Sequence, residues 1–289
     1  MTQVLPCSAS VSLAPVLTGP VRAVPVTASL SRALYVDTLD PEIPALCLTA
    51  ADAVRVPCAL VLGPGVAVPT AAVGSTAWVG EGRIRLASGA SAAVTRWWRP
   101  SRPQVHLLHA DARQRALREL AASPNGPAGE FDPAIQELAA QLATALTDAT
   151  GSTGSTGAAD GVRALLGRGD GLTPLGDDVL AGALVTLNAA SHPAAHVLGS
   201  MVSGELAARP GIATTPVSAA LLAHAARGEC IPELAAVLTD SAARLEPAIS
   251  ALLRVGHSSG FGLLLGVDLA LSVLTGPTHA LHPTGRMAE

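Results

Sequence analysis

The sequence contains no lysine, because all 18 of its basic residues are arginines. This absence excludes a Walker lysine, a Schiff-base lysine and a lysine general base. Aromatic residues make up only 2% of the chain. We therefore expect a core of Ala, Val and Leu, with Trp78, Trp97 and Trp98 as its few large anchors. The net charge is −4 and no basic run is present, so we expect no nucleic-acid partner.

Cysteines and long apolar runs are also sparse. The four cysteines form no Cys-x-x-Cys pair, which argues against a zinc knuckle or a disulfide framework and favours reduced, mostly buried thiols. The first 24 residues lack a positively charged leader ahead of an apolar segment, which argues against a signal peptide. The longest apolar stretch, residues 261–274, carries Asp268 and is too short to span a bilayer. We expect a soluble cytoplasmic protein with no membrane partner.

The pattern of the sequence changes near residue 100. Short runs bearing Val, Thr and Ile, separated by Pro and Gly, come first and are typical of a barrel or sandwich. Apolar residues at helical spacing follow. We predict an α+β fold, with an N-terminal β-barrel or sandwich-like domain at residues 1–100 and an all-helical C-terminal domain at residues 101–289. The predicted strands are residues 11–17, 21–30, 33–36, 45–50, 58–62, 77–79, 83–87 and 92–98.

Helical spacing appears first at residues 105–120 and 135–146. A repetitive Gly, Ser and Thr segment at residues 150–157 then predicts a flexible linker. The predicted helices beyond that linker are residues 161–166, 177–190, 194–208, 215–226, 231–240, 245–255 and 258–274.

A glycine-rich polar loop precedes the apolar run at residues 179–187. Residues 167–178 read GRGDGLTPLGDD. Glycine permits left-handed backbone and proline disfavours helix before it, so the pattern predicts a loop that leads into a helix. With Asp177 as N-cap, capping accounts for one carboxylate. The other carboxylates leave open metal binding, an oriented arginine, or acceptance of substrate N–H donors. Arg168 pairs either with an anionic ligand or with Asp170.

A second polar helix start occurs at residues 256–262, which read GHSSGFG. One interpretation is structural: a serine caps the helix, and Gly260, Gly262 and Gly266 allow close helix packing. The other is functional, because backbone N–H groups at a helix start, together with His257 and two hydroxyls, suit a phosphate or carboxylate. Two such starts in one helical region predict converging walls of one site.

Other polar clusters are weaker. Residues 214–218, TTPVS, place hydroxyls at a further helix start, where we predict Thr214 as N-cap, as we do Ser258 for the last helix. His106 and His109 share a face of a predicted helix that Asp111 does not share. That spacing favours a structural histidine pair over a metal site.

Two of these motifs together are specific. GLTPLGDDVLAG at residues 171–182 and GHSSG at residues 256–260 resemble the paired signature of the oxamate carbamoyltransferase AllH subunit family. Residues 214–218 resemble a third segment of that family. The motif order, the spacing and the β-then-α layout match across most of the chain. The usual small polar residue ahead of Gly176 is Leu175 in this sequence.

The resemblance implies a subunit that acts with two partners, an acyl-CoA-synthetase-like protein and a second accessory subunit. Together they would exchange oxalurate and phosphate for oxamate and carbamoyl phosphate in allantoin breakdown. The implied ligand is a small anion that carries an amide or a phosphate. We expect no cofactor.

We predict that both loops belong to one ligand site. Phosphate or carbamoyl phosphate would lie at residues 258–260 and near Arg168, and the paired aspartates would orient N–H groups or a metal. We expect Asp177 and Asp178 to face His257 across a pocket. The predicted catalytic residues are Asp177, Asp178 and His257. The predicted substrate-binding residues are Arg168, Gly171, Thr173, Gly176, Thr214, Thr215, Ser258, Ser259 and Gly260, and no metal ligand is assigned.

Two alternatives remain open. In the first, the chain is a non-catalytic ligand-binding or scaffold subunit whose two loops form a partner interface. In the second, an unrelated acyl or carboxyl transfer system reuses the subunit.

Overall fold

A computed structural model describes residues 4–105, 114, 133–151 and 155–276. Its N-terminal part is a closed barrel of eight strands. The strands are β1 Val4–Ser10, β2 Arg22–Ser29, β3 Ala33–Asp37, β4 Ala45–Thr49, β5 Ala59–Leu62, β6 Thr76–Gly80, β7 Arg83–Leu86 and β8 Ser91–Trp98. Around the barrel they follow the order β1-β5-β4-β3-β2-β6-β7-β8. Parallel pairing of β1 with β8 closes the barrel, and β4 and β5 are the other parallel pair.

Seven of the predicted strands are confirmed, each end within one residue of its expected position. Side chains alternate in β7, where Arg83 and Arg85 are exposed while Ile84 and Leu86 are buried. Register in the barrel is set by such alternation, since one face of each strand is buried. The sequence pattern therefore located most of the barrel.

The strand predicted at residues 11–17 is wrong. Val11–Leu13 forms a 3₁₀ helix, and Ala14–Thr18 forms the short helix α1. Ser10 begins this helical segment by accepting the Ser12 N–H at 3.3 Å, and Pro15 stands in the first turn of α1, where proline is tolerated. Strand β1 was not among the predicted strands, because Pro6 lies within it and proline is unfavourable inside a strand.

The described residues from 133 to 275 are mainly helical, which supports the α+β class. The linker predicted at residues 150–157 is shorter than expected, since α2 extends to Gly151 and α3 begins at Ser155. The expected helix over residues 105–120, with His106, His109 and Asp111, lies largely outside the described residues. The helices are α2 Pro133–Gly151, α3 Ser155–Leu165, α4 Leu175–Ala189, α5 Ala194–Ala208, α6 Pro216–Ala226, α7 Pro232–Thr239, α8 Ala242–Leu253 and α9 Ser259–Thr275.

Helices α4 and α9 pack at the centre of the helical region, and glycines set their close approach. A Cβ added at Gly262 would lie 2.6 Å from the Cβ of Asp178, and one at Gly266 would lie 2.1 Å from the Val179 carbonyl oxygen. Gly260 likewise leaves room for the Leu252 carbonyl of α8, at 1.9 Å from an added Cβ. The structural interpretation of these glycines is confirmed, and it fixes where Asp178 sits against α9.

None of the three tryptophans is fully buried, contrary to expectation, and Phe261 is a buried aromatic side chain in the helical core. The largest fully buried side chains are leucines and isoleucine. Trp97 is exposed, and Trp98 packs against the barrel core while partly buried. The Arg85 guanidinium lies over the Trp78 ring and that of Arg55 over the Trp98 ring, so these two tryptophans stack with arginines. All four cysteines are free and buried, as expected.

Candidate functional site

The loop at residues 167–174 is shaped by three glycines with left-handed backbone. Gly167, Gly169 and Gly171 have φ of 76°, 114° and 94°, a region that side chains rarely adopt. A Cβ at Gly167 would also lie 2.2 Å from the Ala213 carbonyl oxygen. The Thr215 hydroxyl donates to the Leu172 carbonyl at 2.6 Å, so the loop is fastened to the start of α6.

Helix α4 begins two residues earlier than predicted. Its N-cap is Pro174, which has no side-chain cap, so Asp177 is not the capping residue. The N-cap of α6 is Thr215, not Thr214, because the Thr215 hydroxyl accepts the Ser218 N–H at 3.0 Å. Asp177 and Asp178 instead occupy the first turn of α4, where the helix dipole favours negative charge.

Asp177 connects three segments of backbone. Its Oδ1 accepts the Gly167 N–H at 2.7 Å and its Oδ2 accepts the Thr214 hydroxyl. The side chain is buried. Burial raises the pKa of Asp177, while hydrogen bonds from Thr214, Gly167 and Ser218 oppose the rise. Both oxygens are therefore occupied by the protein itself, which gives Asp177 a positioning role in the loop.

Asp178 is buried to a similar degree but is not similarly satisfied. It is 5% exposed, and its Oδ2 has no hydrogen-bond partner among the described residues. Burial raises the pKa of Asp178 to about 8, the Ser259 hydroxyl lowers it, and the neighbouring Asp177 carboxylate raises it further. At neutral pH this carboxyl group is therefore mostly protonated.

The two predicted loops meet through a direct hydrogen bond. The hydroxyls of Thr173 and Ser259 are 2.9 Å apart. Ser258 is the N-cap of α9, as predicted, although its side chain makes no capping hydrogen bond. Gly256 has a φ of 63° and turns the chain into this helix. The loop before α4 and the loop before α9 thus form one continuous wall.

This wall borders a cavity of about 300 Å³ between the barrel and the helices. Most of the lining is apolar, and it includes Val54, Val56 and Pro57 together with residues of helices α4 and α6. No Arg or His lies in that lining within the described part of the chain. The ionisable and hydroxyl groups that line it are Tyr35, Thr173, Asp178, Glu229, Cys230 and Ser259.

Glu229 was not predicted, and it is the second carboxyl group at this cavity. Its carboxylate accepts from the Ser12 hydroxyl at 2.9 Å and from Arg102 Nη2 at 2.5 Å, and it lies 2.6 Å from His224 Nδ1. Burial raises the pKa of Glu229, but the hydrogen bonds from His224, Arg102 and Ser12 outweigh it and lower the pKa to about 2. Glu229 is therefore ionised, and its network joins the barrel to the helices.

The predicted site residues are found in three places. Thr173, Asp178 and Ser259 line the cavity together with Gly256. The loops are supported outside the cavity lining by Asp177, Gly176, Thr214 and Thr215. The start of α9 contains Ser258 and Gly260. Arg168, Gly171 and His257 are exposed on the two loops and do not line this cavity.

The arrangement expected for the three catalytic candidates differs from this geometry. Asp178 lines the cavity, but Asp177 points its carboxyl group at Gly167 and Thr214, and His257 is exposed. The catalytic assignments of Asp177 and His257 stay predictions. Sequence reasoning missed Tyr35 and Glu229 because they come from the barrel and from the turn after α6, far from both motifs.

Two features are missing from the part of the chain that the structure describes. None of the helices in that part of the chain is both long and apolar enough to cross a membrane. Within the same residues, no group of three or more His, Cys, Asp or Glu side chains is placed to hold a metal ion.

The comparisons with known proteins agree with the resemblance found in the sequence. The chain matches no curated protein and no solved structure. A family model does match, over residues 165–271, and this range contains both glycine-rich loops and the segment at residues 214–218. The predicted resemblance is therefore confirmed for the helical region, which is similar to the oxamate carbamoyltransferase subunit AllH.

Proposed function

We propose that the chain is a subunit of a carbamoyltransferase of the oxamate carbamoyltransferase type. The support is the match to the AllH subunit over residues 165–271. A family defined by a subunit implies a heteromeric complex. In this proposal the partners are an acyl-CoA-synthetase-like subunit and a second accessory subunit. The complex exchanges oxalurate and phosphate for oxamate and carbamoyl phosphate.

The observation that carries the proposal is the meeting of the two motif loops beside an unsatisfied buried carboxyl group. The Thr173 and Ser259 hydroxyls join the loops at 2.9 Å, next to the cavity that Asp178 lines. A buried polar atom without a protein partner calls for an explanation, and a bound ligand that supplies the partner is one. A polar group at the edge of a mostly apolar cavity is the usual composition of a small-molecule site.

The proposal gives the residues distinct roles. Asp178 binds the amide end of the ligand, and its pKa of about 8 suits proton transfer near neutral pH. Ser258, which stands at the start of α9 outside the cavity lining, and the exposed Arg168 receive the anionic end. Asp177 fixes the loop on which Arg168 and Thr173 stand. His257, exposed beside Ser258, acts on the ligand from the solvent side.

The test is turnover by the assembled complex. Purify this chain with its two partners and measure carbamoyl phosphate formed from oxalurate and phosphate. We expect Asp178→Ala to lower turnover about 100-fold or more, as for loss of a group that transfers a proton. Asp170→Asn is the matched control, because Asp170 is exposed on the same loop. No turnover in any combination of subunits would overturn the proposed reaction.

A second candidate function is a non-catalytic ligand-binding or scaffold subunit. The observation that favours it is the position of His257, which is exposed and does not line the cavity beside Asp178. In that case Asp178→Ala and His257→Ala change ligand binding or complex assembly without altering the chemical step. Size-exclusion chromatography of the complex and its single-turnover rate, measured on the same samples, separate the two functions.

A further inference from the structure

We propose that the cavity beside Asp178 binds an uncharged carbamoyl or primary carboxamide group, through paired hydrogen bonds with the Asp178 carboxyl group, and does not admit an anion. The choice of a carbamoyl group rests on the proposed function. The evidence for an uncharged amide is the geometry and charge of the cavity itself.

One oxygen of the Asp178 side chain, Oδ2, is buried and has no hydrogen-bond partner among the described residues. The side chain that carries it lines the cavity. A buried polar atom without a partner is costly, so a ligand that supplies one gains that free energy on binding. The cavity is therefore suited to a ligand with a complementary polar group.

The protonation state of the Asp178 carboxyl group determines which hydrogen bonds it can offer a ligand. A protonated carboxyl group offers one O–H donor and one carbonyl acceptor on adjacent oxygens. Burial raises the pKa of Asp178 to about 8, which keeps the proton on the group at neutral pH. A primary amide presents the matching pair, a carbonyl acceptor beside an N–H donor. The two groups can therefore form a cyclic pair of hydrogen bonds.

The charges of the groups around the cavity disfavour an anionic ligand. The other ionisable groups that face the cavity are Tyr35, Cys230 and Glu229. Burial raises the pKa of Tyr35 and raises that of Cys230 to about 12, so both are neutral, whereas Glu229 carries a negative charge. The described lining has no cation to balance a ligand anion. Burying a phosphate or carboxylate there is therefore unfavourable.

The size of the cavity limits the ligand. Its volume of about 300 Å³ is at the lower end of the range for small-molecule sites. A carbamoyl group with a short apolar or neutral extension fits within that volume. The charged end of a substrate such as oxalurate then stays outside the lining, and Arg168 and His257 are exposed on the two loops that border the cavity.

The test measures binding to the full chain without its partners, so it does not depend on turnover. The probes are acetamide and propionamide as neutral amides and acetate and propionate as anions, all of which carry carbon-bound protons that ligand-observed saturation-transfer NMR detects at pH 7. We expect saturation of the two amides and none of the two anions. Saturation of acetate or propionate, with or without the amides, would overturn the inference.

Two substitutions at Asp178 sharpen the test. Asn carries a carbonyl and an N–H₂ group, as a protonated acid carries an acceptor and a donor, so Asp178→Asn should keep amide affinity within about threefold. Asp178→Leu has a similar shape but no polar group, and should weaken amide binding about tenfold or more. Asp170→Asn is the control. Thermal unfolding of each variant shows that it is folded, and unchanged amide binding in a folded Asp178→Leu chain would contradict the inference.

The outcomes separate this inference from the proposed function. Amide binding that depends on Asp178, in a complex that shows no carbamoyl transfer, would support the inference and overturn the reaction. Carbamoyl transfer by a complex whose isolated subunit binds no amide would overturn the inference alone.

Discussion

The two neighbouring aspartates at the start of α4 are alike in sequence and in burial, yet they lie in different environments. Asp177 faces the loop, where Gly167 and Thr214 occupy both of its oxygens. Asp178 faces the cavity, and its Oδ2 is unpaired among the described residues. The difference shows that burial alone does not distinguish a carboxyl group whose oxygens the protein satisfies from one that faces a cavity. The distinguishing observation is which hydrogen bonds the protein itself has already supplied.

The largest effect on stability is expected at Asp177. Replacing Asp177 by Ala leaves the partly buried Gly167 N–H and Thr214 hydroxyl without their acceptor, which should cost about 2–4 kcal/mol of unfolding free energy. Asp178→Ala removes only the hydrogen bond with the Ser259 hydroxyl, which also meets Thr173, and should cost clearly less. Chemical denaturation of both variants checks the comparison. Equal losses of unfolding free energy at the two positions would show that hydrogen bonding within the protein does not distinguish the two aspartates.

The second-largest effect is the change of stability with pH that Asp178 causes. Its pKa is raised by burial to about 8, above that of an unfolded carboxyl group, so the folded state holds the proton more tightly. Stability from this group is therefore fully present below about pH 4, where the unfolded carboxyl group is protonated as well, and is lost as the pH rises from about 4 through 8. Asp178→Asn cannot ionise, so its unfolding temperature relative to that of the wild type should rise from pH 5 to about pH 8 and level off by about pH 9.

Thermal unfolding of both proteins from pH 5 to pH 9 measures this difference. Asp177 is present in both proteins, and its repulsion of an ionised Asp178 is part of the measured difference. Parallel curves across the whole range would mean that Asp178 is ionised in the folded state.

A smaller effect is expected from the contact between the loops. Ser259→Ala removes the hydroxyl that meets Thr173 and that lowers the pKa of Asp178. We expect a loss of about 1 kcal/mol in stability and a higher pKa at Asp178, followed by carbon-13 NMR of the carboxyl group. Thr173→Val serves as the matched variant, because it loses the same hydrogen bond and keeps Ser259. A fall in the pKa after Ser259→Ala would contradict this assignment.

The smallest effect is expected at His257. Its side chain is exposed, so His257→Ala should change stability by less than about 0.5 kcal/mol. Acetamide binding should also be unchanged, because His257 does not line the cavity. A large loss of amide affinity in this variant would place His257 in the site and would narrow the contrast with Asp178.

The fold was largely predictable because it rests on local patterns. Alternating runs located seven of the eight strands, and apolar periodicity located the helices from α4 onward. The errors arose where proline or a capping residue was misjudged. Pro15 begins a helix where a strand was expected, and Pro174 rather than Asp177 precedes α4.

The candidate site was predictable only in part. The two loops stood out because glycine, proline and polar residues ahead of apolar helices are rare combinations, and the family resemblance then paired them. The contrast between Asp177 and Asp178 depends on Thr214, Gly167 and the cavity wall, which tertiary packing brings together. Glu229 carries no local signal of its role, since Ser12 and Arg102 reach it from distant parts of the chain.

The central claim is that Asp178 carries a proton at neutral pH and presents it to an amide. Its most direct test is a carbon-13 NMR titration of labelled aspartate carboxyl groups, with and without acetamide, assigned through Asp178→Asn. We predict one carboxyl group that titrates near pH 8, disappears in Asp178→Asn, and shifts to higher pH when acetamide binds its protonated form. Titration of every aspartate below pH 5, or no response to acetamide at Asp178, would contradict the claim.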